Sequence, residues 1–179
     1  VSTGGRATPT RACRQGTRAN RSMKKSVSLT VNGRPVETTV EPRLSLADFL
    51  RLELRLTATH LGCEHGVCGA CTVLIDGEPA RSCIALTVSL RDAQITTLEG
   101  LADDPTMQVI KQAFHDKHGL QCGFCTSGML ISTRDLLKRT PNPSENTIRD
   151  GLSGNLCRCT GYQGIVRAVL KAAEDLAAS

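Results

Sequence analysis

The chain has 179 residues, a hydrophobic fraction of 40% and a net charge of +5. This length suffices for one domain or for two small ones. Residues 1–25 carry five arginines, two lysines and no acidic residue. The remainder is therefore close to neutral and gives no sign of nucleic-acid binding. No apolar run is long enough to span a membrane. Residues 1–22 lack the apolar segment of a secretory signal and are predicted to be a disordered basic tail.

The first patterned stretch predicts a hairpin followed by a helix. Residues 26–31 alternate polar and apolar side chains as a half-buried strand does. Asn32-Gly33 is a strong hairpin signal, and residues 36–40 form the predicted return strand. A helix is expected after Ser45, with its apolar face made by Leu46, Phe49, Leu50 and Leu54.

A glycine-rich stretch of cysteines follows this helix. Its spacing is C-x4-C-x2-C with a distant fourth cysteine, formed by Cys63, Cys68, Cys71 and Cys83. This is the plant-type ligand pattern for a 2Fe–2S cluster. Glycine permits the sharp backbone bends that three converging thiolates need. Zinc is the weaker alternative, because structural zinc sites usually use two C-x2–4-C pairs.

Three further strands are predicted around the fourth cysteine, at residues 72–75, 80–86 and 93–96. Asp76-Gly77 supplies the turn between the first two. This hairpin explains how Cys83 returns to the cysteine loop. The order strand, hairpin, strand, helix and cysteine loop predicts a β-grasp ferredoxin domain over residues 23–100.

Residues 101–179 change character and predict four short helices. Asp104 caps the first, with proline at its first position, and Gly119 is expected to end it. The second spans residues 126–138, Ser144 caps the third through residue 152, and the fourth spans residues 163–178. Four short helices indicate a small bundle. The fold class is therefore α+β, with a ferredoxin domain followed by a four-helix-bundle domain.

The predicted bundle carries four cysteines of its own. They lie in loops beside helix N-termini, which favour an anionic cluster, and are Cys122, Cys125, Cys157 and Cys159. Taken alone, this C-x2-C and C-x-C set leaves zinc a fair competitor. Beside the first motif, a second 2Fe–2S cluster is favoured. Cys13 remains as a bystander, and the histidines at positions 60, 65, 115 and 118 have no recognisable partners.

The two motifs together, with QCGFC followed by GNLCRCTGY, resemble the small iron–sulfur subunit of the molybdenum hydroxylases. This family includes xanthine dehydrogenase, aldehyde oxidoreductase and aerobic carbon monoxide dehydrogenase. The resemblance covers residues 25–176. It implies that the first four cysteines hold one 2Fe–2S cluster and the second four hold another. It also implies that Gln121 and Cys159 contact the molybdopterin of a large partner subunit.

The same resemblance implies a function in electron transfer. Electrons would pass from the molybdopterin centre through both clusters to the FAD of a medium subunit or to another acceptor. The complex would be a dimer of heterotrimers, and the large subunit would select the substrate. The chain has no dinucleotide-binding motif or P-loop, and no substrate-converting site is expected in it. A free-standing ferredoxin-like carrier is the alternative function. Thiolate-held clusters suit a reducing compartment, which predicts a cytoplasmic location.

Overall fold

A computed structural model describes residues 24–178 of the chain. It is a mixed α/β structure in which a five-stranded sheet precedes the main helices. The predicted tail and Cys13 lie outside the described residues. The strands are β1 Lys25–Val31, β2 Arg34–Val40, β3 Thr72–Ile75, β4 Glu78–Arg81 and β5 Gln94–Thr96. The helices are α1 Leu46–Asp48, α2 Pro105–Asp116, α3 Thr126–Arg139, α4 Glu145–Gly151 and α5 Gln163–Ala177.

The sheet is arranged in the order β2-β1-β5-β3-β4, so the first and last strands in sequence are central neighbours. β1 pairs with β2 in antiparallel and with β5 in parallel orientation. Asn32 and Gly33 have φ values of 50° and 75°, as the predicted tight hairpin turn requires. Buried residues alternate along β1 at Val27, Leu29 and Val31. The predicted hairpin is confirmed.

The segment after Ser45 differs from the single regular helix that the sequence predicts. The Ser45 side chain caps only the three-residue helix α1, and residues Phe49–Glu53 form a wider π-helical turn. The Leu54 N–H donates to the Phe49 carbonyl at 3.2 Å, five residues back. The wider turn keeps both Phe49 and Leu50 buried while Leu52 is 60% exposed.

The predicted return strand at residues 80–86 is also shorter in the structure, because β4 ends at Arg81. Both the N–H and the hydroxyl of Ser82 donate to the Cys71 carbonyl, at 3.3 and 2.7 Å. The N–H of Ile84 then closes a turn onto the Arg81 carbonyl at 3.3 Å. Cys83 consequently lies in a turn beside the cysteine loop rather than within a strand.

The helix starts predicted at Asp104 and Ser144 are confirmed by their caps. Asp104 accepts from the Met107 N–H at 2.7 Å, and Ser144 accepts from the Thr147 N–H at 3.1 Å. α2 ends at Asp116, slightly before the predicted stop at Gly119, where the Gly119 N–H donates to the Phe114 carbonyl at 2.8 Å. No helix among residues 24–178 is long and apolar enough to cross a membrane.

Two buried clusters form the interior, and strand β3 contributes to both. Val73 packs with β1, α1 and the π-helical turn, whereas Leu74 packs with the residues of α2, α3, α4 and α5. Successive residues of a strand face opposite sides of a sheet. The helices therefore cover one face of β3, and this contact brings the two groups of cysteines near each other.

Candidate iron–sulfur sites

The first cysteine loop turns its backbone N–H groups toward a thiol. Glu64, Gly66 and Gly69 all have positive φ, at 55°, 76° and 73°. The N–H groups of His65 and Cys68 donate to Cys63 Sγ at 3.4 and 3.3 Å. Backbone donors of this kind stabilise a thiolate and help to set the reduction potential of a bound cluster.

The thiols of the first group differ in pKa because their surroundings differ. The backbone N–H of Cys68, aided by that of His65, lowers the pKa of the Cys63 thiol to about 6. Burial raises the pKa of the Cys83 thiol to about 11, and hydrogen bonding to Cys71 acts in the same direction. The Cys63 thiol also interacts with the Cys68 thiol. The hydrogen-bonded thiols are thus Cys63 with Cys68 and Cys71 with Cys83, and Cys63 also acts on Cys83 across the two pairs.

The second group of cysteines is paired in the same way. The Cys159 thiol donates to Cys122 Sγ at 3.5 Å, and Cys125 forms a hydrogen bond with Cys157. The Thr160 hydroxyl donates to Cys157 Sγ at 3.2 Å. Cys125 stands immediately before α3, as its N-terminal flanking residue. The free N–H groups and the macrodipole of that helix favour negative charge at this position.

The electrostatics again differ within each pair. The Phe124 N–H lowers the pKa of Cys122, and the hydrogen bond with Cys122 raises the pKa of Cys159. Burial raises the pKa of Cys125 to about 12. Burial also acts to raise the pKa of Cys157, but hydrogen bonds from Thr160 and Cys159 outweigh it, so this pKa is lowered.

The donor set fits two-iron clusters. All eight cysteines of the described residues are free thiols. No three histidine, cysteine or acidic side chains between residues 24 and 178 are grouped so as to surround one metal ion. The thiols form hydrogen-bonded pairs in both groups, and a 2Fe–2S cluster needs four thiolates divided between its two irons.

Hydrogen bonds join the first cysteine loop, residues 60–71, to the second cysteine loop, residues 154–162, and to the segment 121–125 that carries Cys122 and Cys125. The Leu156 N–H donates to the Cys68 carbonyl at 2.8 Å. His60 Nδ1 donates to the Phe124 carbonyl at 2.8 Å, and the two rings stack with centroids 4.9 Å apart. The prediction that His60 has no partner is therefore wrong. His65 Nδ1 also contacts the Cys63 carbonyl, and His115 lies 3.4 Å from Asp116. His65 and His115 thus also have partners, at residues two and one positions away.

Comparison with known proteins decides what these sites belong to. The chain matches the 2Fe-2S iron-sulfur cluster binding domain over residues 29–101 and the [2Fe-2S] binding domain over residues 97–170. It is 57% identical to the caffeine dehydrogenase subunit gamma of Pseudomonas sp. (strain CBB1), over 80% of this chain and 87% of that protein. It is 49% identical to the nicotine 6-hydroxylase small subunit of Paenarthrobacter nicotinovorans, over 82% and 88% of the two chains.

A solved structure agrees with these relatives. A chain of quinoline 2-oxidoreductase from Pseudomonas putida 86 aligns with a TM-score of 0.80 at 46% identity, covering 87% of this chain and 98% of that chain. The chain belongs to the family of small iron–sulfur subunits of molybdenum hydroxylases. The resemblance that the sequence motifs indicate is confirmed.

As a small iron–sulfur subunit, the protein binds two 2Fe–2S clusters and transfers electrons within an oxidoreductase. Sequence reasoning found the cysteines of this subunit but missed the residues that join their loops, above all Asn155 and Arg81. Arg81 donates to the Gly154 carbonyl at 2.7 Å and to Thr72 Oγ1 at 2.6 Å. Asn155 precedes Cys157 by two residues, but its partner in the first loop lies 86 positions away, so the sequence carries no signal for this contact.

Proposed function

We propose that each group of four cysteines holds one 2Fe–2S cluster. The first set would be Cys63, Cys68, Cys71 and Cys83, and the second would be Cys122, Cys125, Cys157 and Cys159. A bound 2Fe–2S cluster accepts and releases one electron at a time. The observation that carries this proposal is the pairing of the thiols. Cys63 with Cys68 and Cys71 with Cys83 would each serve one iron, and so would Cys122 with Cys159 and Cys125 with Cys157.

The electron-transfer order that we propose begins at the helical site. A large partner subunit carrying molybdopterin would dock against Gln121 and Cys159, and the sheet site would face FAD in a medium subunit or another acceptor. Exposure supports this orientation, because Gln121, Cys122 and Cys159 are exposed whereas Cys125 and Cys157 lie further inside. The exposed members of the second site are thus the ones a partner can approach.

Apolar side chains around both sites support coverage by partners. Val67 and Ile84 beside the first site are 61% and 62% exposed, and Phe124 and Leu156 beside the second are 47% and 51% exposed. Large apolar side chains grouped on a surface mark sites of protein interaction. The designations "subunit gamma" and "small subunit" of the relatives also support a multisubunit complex. A dimer of heterotrimers is the assembly that we propose.

The finer fold assignment belongs to the same proposal. The sheet part would be a β-grasp ferredoxin domain over residues 23–100, and helices α2 to α5 would form a four-helix-bundle domain over residues 101–179. The two matched family models meet between residues 97 and 101, which supports this boundary. Cysteines that hold a cluster must remain reduced, and this supports a cytoplasmic location.

The names of the relatives suggest a substrate class for the holoenzyme. Caffeine, nicotine and quinoline, after which three related proteins are named, all contain a ring nitrogen. We propose that the complex oxidises a nitrogen heterocycle in its large subunit. The residues of this chain would bind and orient the clusters that drain the electrons, and they would not contact the substrate.

The native complex, isolated through this chain, tests the proposed function. We expect about four irons per copy of the chain, two for each cluster, together with molybdenum and with turnover of a nitrogen heterocycle. Flavin in the complex would identify the medium subunit. Iron without molybdenum would instead indicate a free-standing carrier, and zinc in place of iron would overturn the assignment of the cysteines.

A ligand substitution tests the order of transfer. Cys122→Ser should remove the paramagnetic signal of the helical site and abolish turnover with an electron acceptor, while the signal of the sheet site remains. Cys13→Ser, a cysteine without a predicted ligand role, is the matched control and should keep both signals. Normal steady-state turnover of Cys122→Ser would contradict the proposed path.

A further inference from the structure

A buried asparagine lies where the two cysteine loops meet. Asn155 is only 3% exposed. Its Nδ2 donates to the Gly69 carbonyl of the first loop at 3.2 Å, and its Oδ1 accepts from the Ser132 hydroxyl of α3 at 2.9 Å. One side chain thus links the first cysteine loop, the second cysteine loop and the helix that follows Cys125.

The backbones around Asn155 approach each other without intervening side chains. A Cβ atom on Gly69 would lie 2.4 Å from the Gly154 carbonyl oxygen, and a Cβ atom on Gly128 would lie 2.1 Å from the Gly69 carbonyl oxygen. Interiors packed this closely do not deform continuously, because contacts are lost or clash within fractions of an ångström. The separation of the loops at this point is therefore fixed.

A hydrogen bond crosses between the loops at this fixed separation and joins the backbone of the proposed ligand Cys68 to the residue before the proposed ligand Cys157. Cys68 supplies the carbonyl, and Leu156, the residue before Cys157, supplies the N–H of the 2.8 Å hydrogen bond between the loops. The Gly69 carbonyl that Asn155 binds is the next one along the chain. A displaced Gly69 carbonyl would carry the Cys68 carbonyl with it.

We propose that Asn155 is a positioning residue that sets the separation of the two clusters for electron transfer between them. This inference rests on the proposed function, in which an electron moves from the helical site to the sheet site. The side-chain hydrogen bonds of Asn155 go to Ser132 and Gly69 and not to a cysteine thiol. It acts by holding the Cys68–Leu156 hydrogen bond and the Gly69–Gly128 contact in place, because electron transfer between fixed sites slows steeply as their separation grows.

The test compares Asn155→Asp with the matched change Asn146→Asp in the purified native complex, from about pH 8 upward, because burial raises the pKa of a carboxyl above its ordinary value. When it is ionised, Asn155→Asp keeps an acceptor oxygen for the Ser132 hydroxyl and replaces the N–H that faces Gly69 with an oxygen that repels its carbonyl. Asn146 is exposed on α4 and receives the same added charge away from the loops. Iron content and the integrated signals of both reduced clusters should stay unchanged in both variants.

Two measurements other than turnover distinguish a positioning role of Asn155 from a purely structural one. The magnetic interaction between the two reduced clusters, which falls with the cube of their separation, should weaken in Asn155→Asp only. Hydrogen exchange of the Leu156 amide should quicken roughly tenfold, the effect of losing one buried hydrogen bond. An unchanged magnetic interaction together with unchanged exchange would overturn the inference.

A second substitution keeps the test decisive if Asn155→Asp does not assemble. Ser132→Ala removes only the donor to Asn155 Oδ1 and should give the same two changes at smaller amplitude. Wild-type levels of both readouts in assembled Ser132→Ala would then overturn the inference. Failure of the proposed function is distinguishable, because the wild-type complex itself would lack iron or molybdenum.

Discussion

At the scale of single residues, Asp104 serves both as a helix cap and as a charge partner. Its carboxylate accepts from the Met107 N–H at 2.7 Å and pairs with Arg134 at 2.7 Å. The hydrogen bond from Arg134 lowers the pKa of Asp104 below its ordinary value. The stabilisation from this ionised carboxylate is therefore fully present above about pH 4, the ordinary aspartate value, and is lost as the pH falls through the lower folded value.

Asp104→Asn separates the two roles. Asparagine caps helices about as well as aspartate, so the variant loses the charge pair and keeps the cap. We expect the free energy of unfolding to fall by about 1 kcal/mol near neutral pH, with the difference from wild type narrowing below about pH 4. Chemical denaturation followed by circular dichroism measures both. Asp103→Asn, at an exposed neighbour, should cost little, and an equal loss at neutral and acidic pH would argue against the ion pair.

At the scale of elements, helix α3 meets the first cysteine loop through a glycine. The closest neighbour of a Cβ atom on Gly128 would be the Gly69 carbonyl oxygen. This oxygen accepts hydrogen bonds from the Thr72 hydroxyl, at 2.6 Å, and from Asn155 Nδ2. Backbone held in this way cannot move aside as a side chain can. Contact between the helix and the loop thus depends on the absence of a side chain at position 128.

Gly128→Ala should therefore destabilise the protein, although alanine favours a helix over glycine by about 1 kcal/mol. Overpacking of this kind typically costs about 1–3 kcal/mol, and we expect a net loss together with reduced iron retention. Gly151→Ala is the matched control, since its Cβ would meet the flexible end of Leu136 at 2.9 Å. Thermal unfolding of the two variants makes the comparison, and a Gly128→Ala protein as stable as wild type would exclude the tight contact.

At the scale of the whole molecule, the sheet and the helices share part of their interior. Leu74 of β3 is 6% exposed and belongs to the cluster formed by the helices, whereas Val73 is fully buried in the cluster of the sheet. The two halves consequently do not form separate interiors joined by a linker. Loss of packing at one strand position should be felt among the helices.

Leu74→Ala tests this coupling. Leucine-to-alanine changes in cores cost about 2–5 kcal/mol, and the resulting cavity should speed hydrogen exchange in α3. Val73→Ala, the adjacent position on the opposite face, should leave α3 amides closer to wild type and loosen β1 instead. Equal acceleration of α3 in both variants would contradict the division of the strand between two clusters.

The sequence predicted those features whose signals are local. The Asn32-Gly33 turn, the caps at Asp104 and Ser144 and the cysteine spacings each depend on a few adjacent residues, and the structure contains each of these elements. The early end of β4 depends on a partner in another segment, since the Ser82 hydroxyl donates to the Cys71 carbonyl. The π-helical turn at Phe49 depends on a five-residue hydrogen bond from the Leu54 N–H, which the apolar pattern of a regular helix does not reveal. Asn155 and the stacking of His60 on Phe124 join segments 86 and 64 positions apart. No short sequence motif predicts contacts between residues this far apart in the chain.

The parallel pairing of β1 with β5 has a consequence for the synthesis of the protein. Asn32 and Thr97, which join these strands by a side-chain hydrogen bond, are 65 positions apart. A nascent chain grows by about 5–20 residues each second, so Cys63, Cys68 and Cys71 leave the ribosome before the strand that completes their sheet. Cys157 and Cys159 follow later still. The order of the elements therefore allows the first cluster to be inserted before the second site exists.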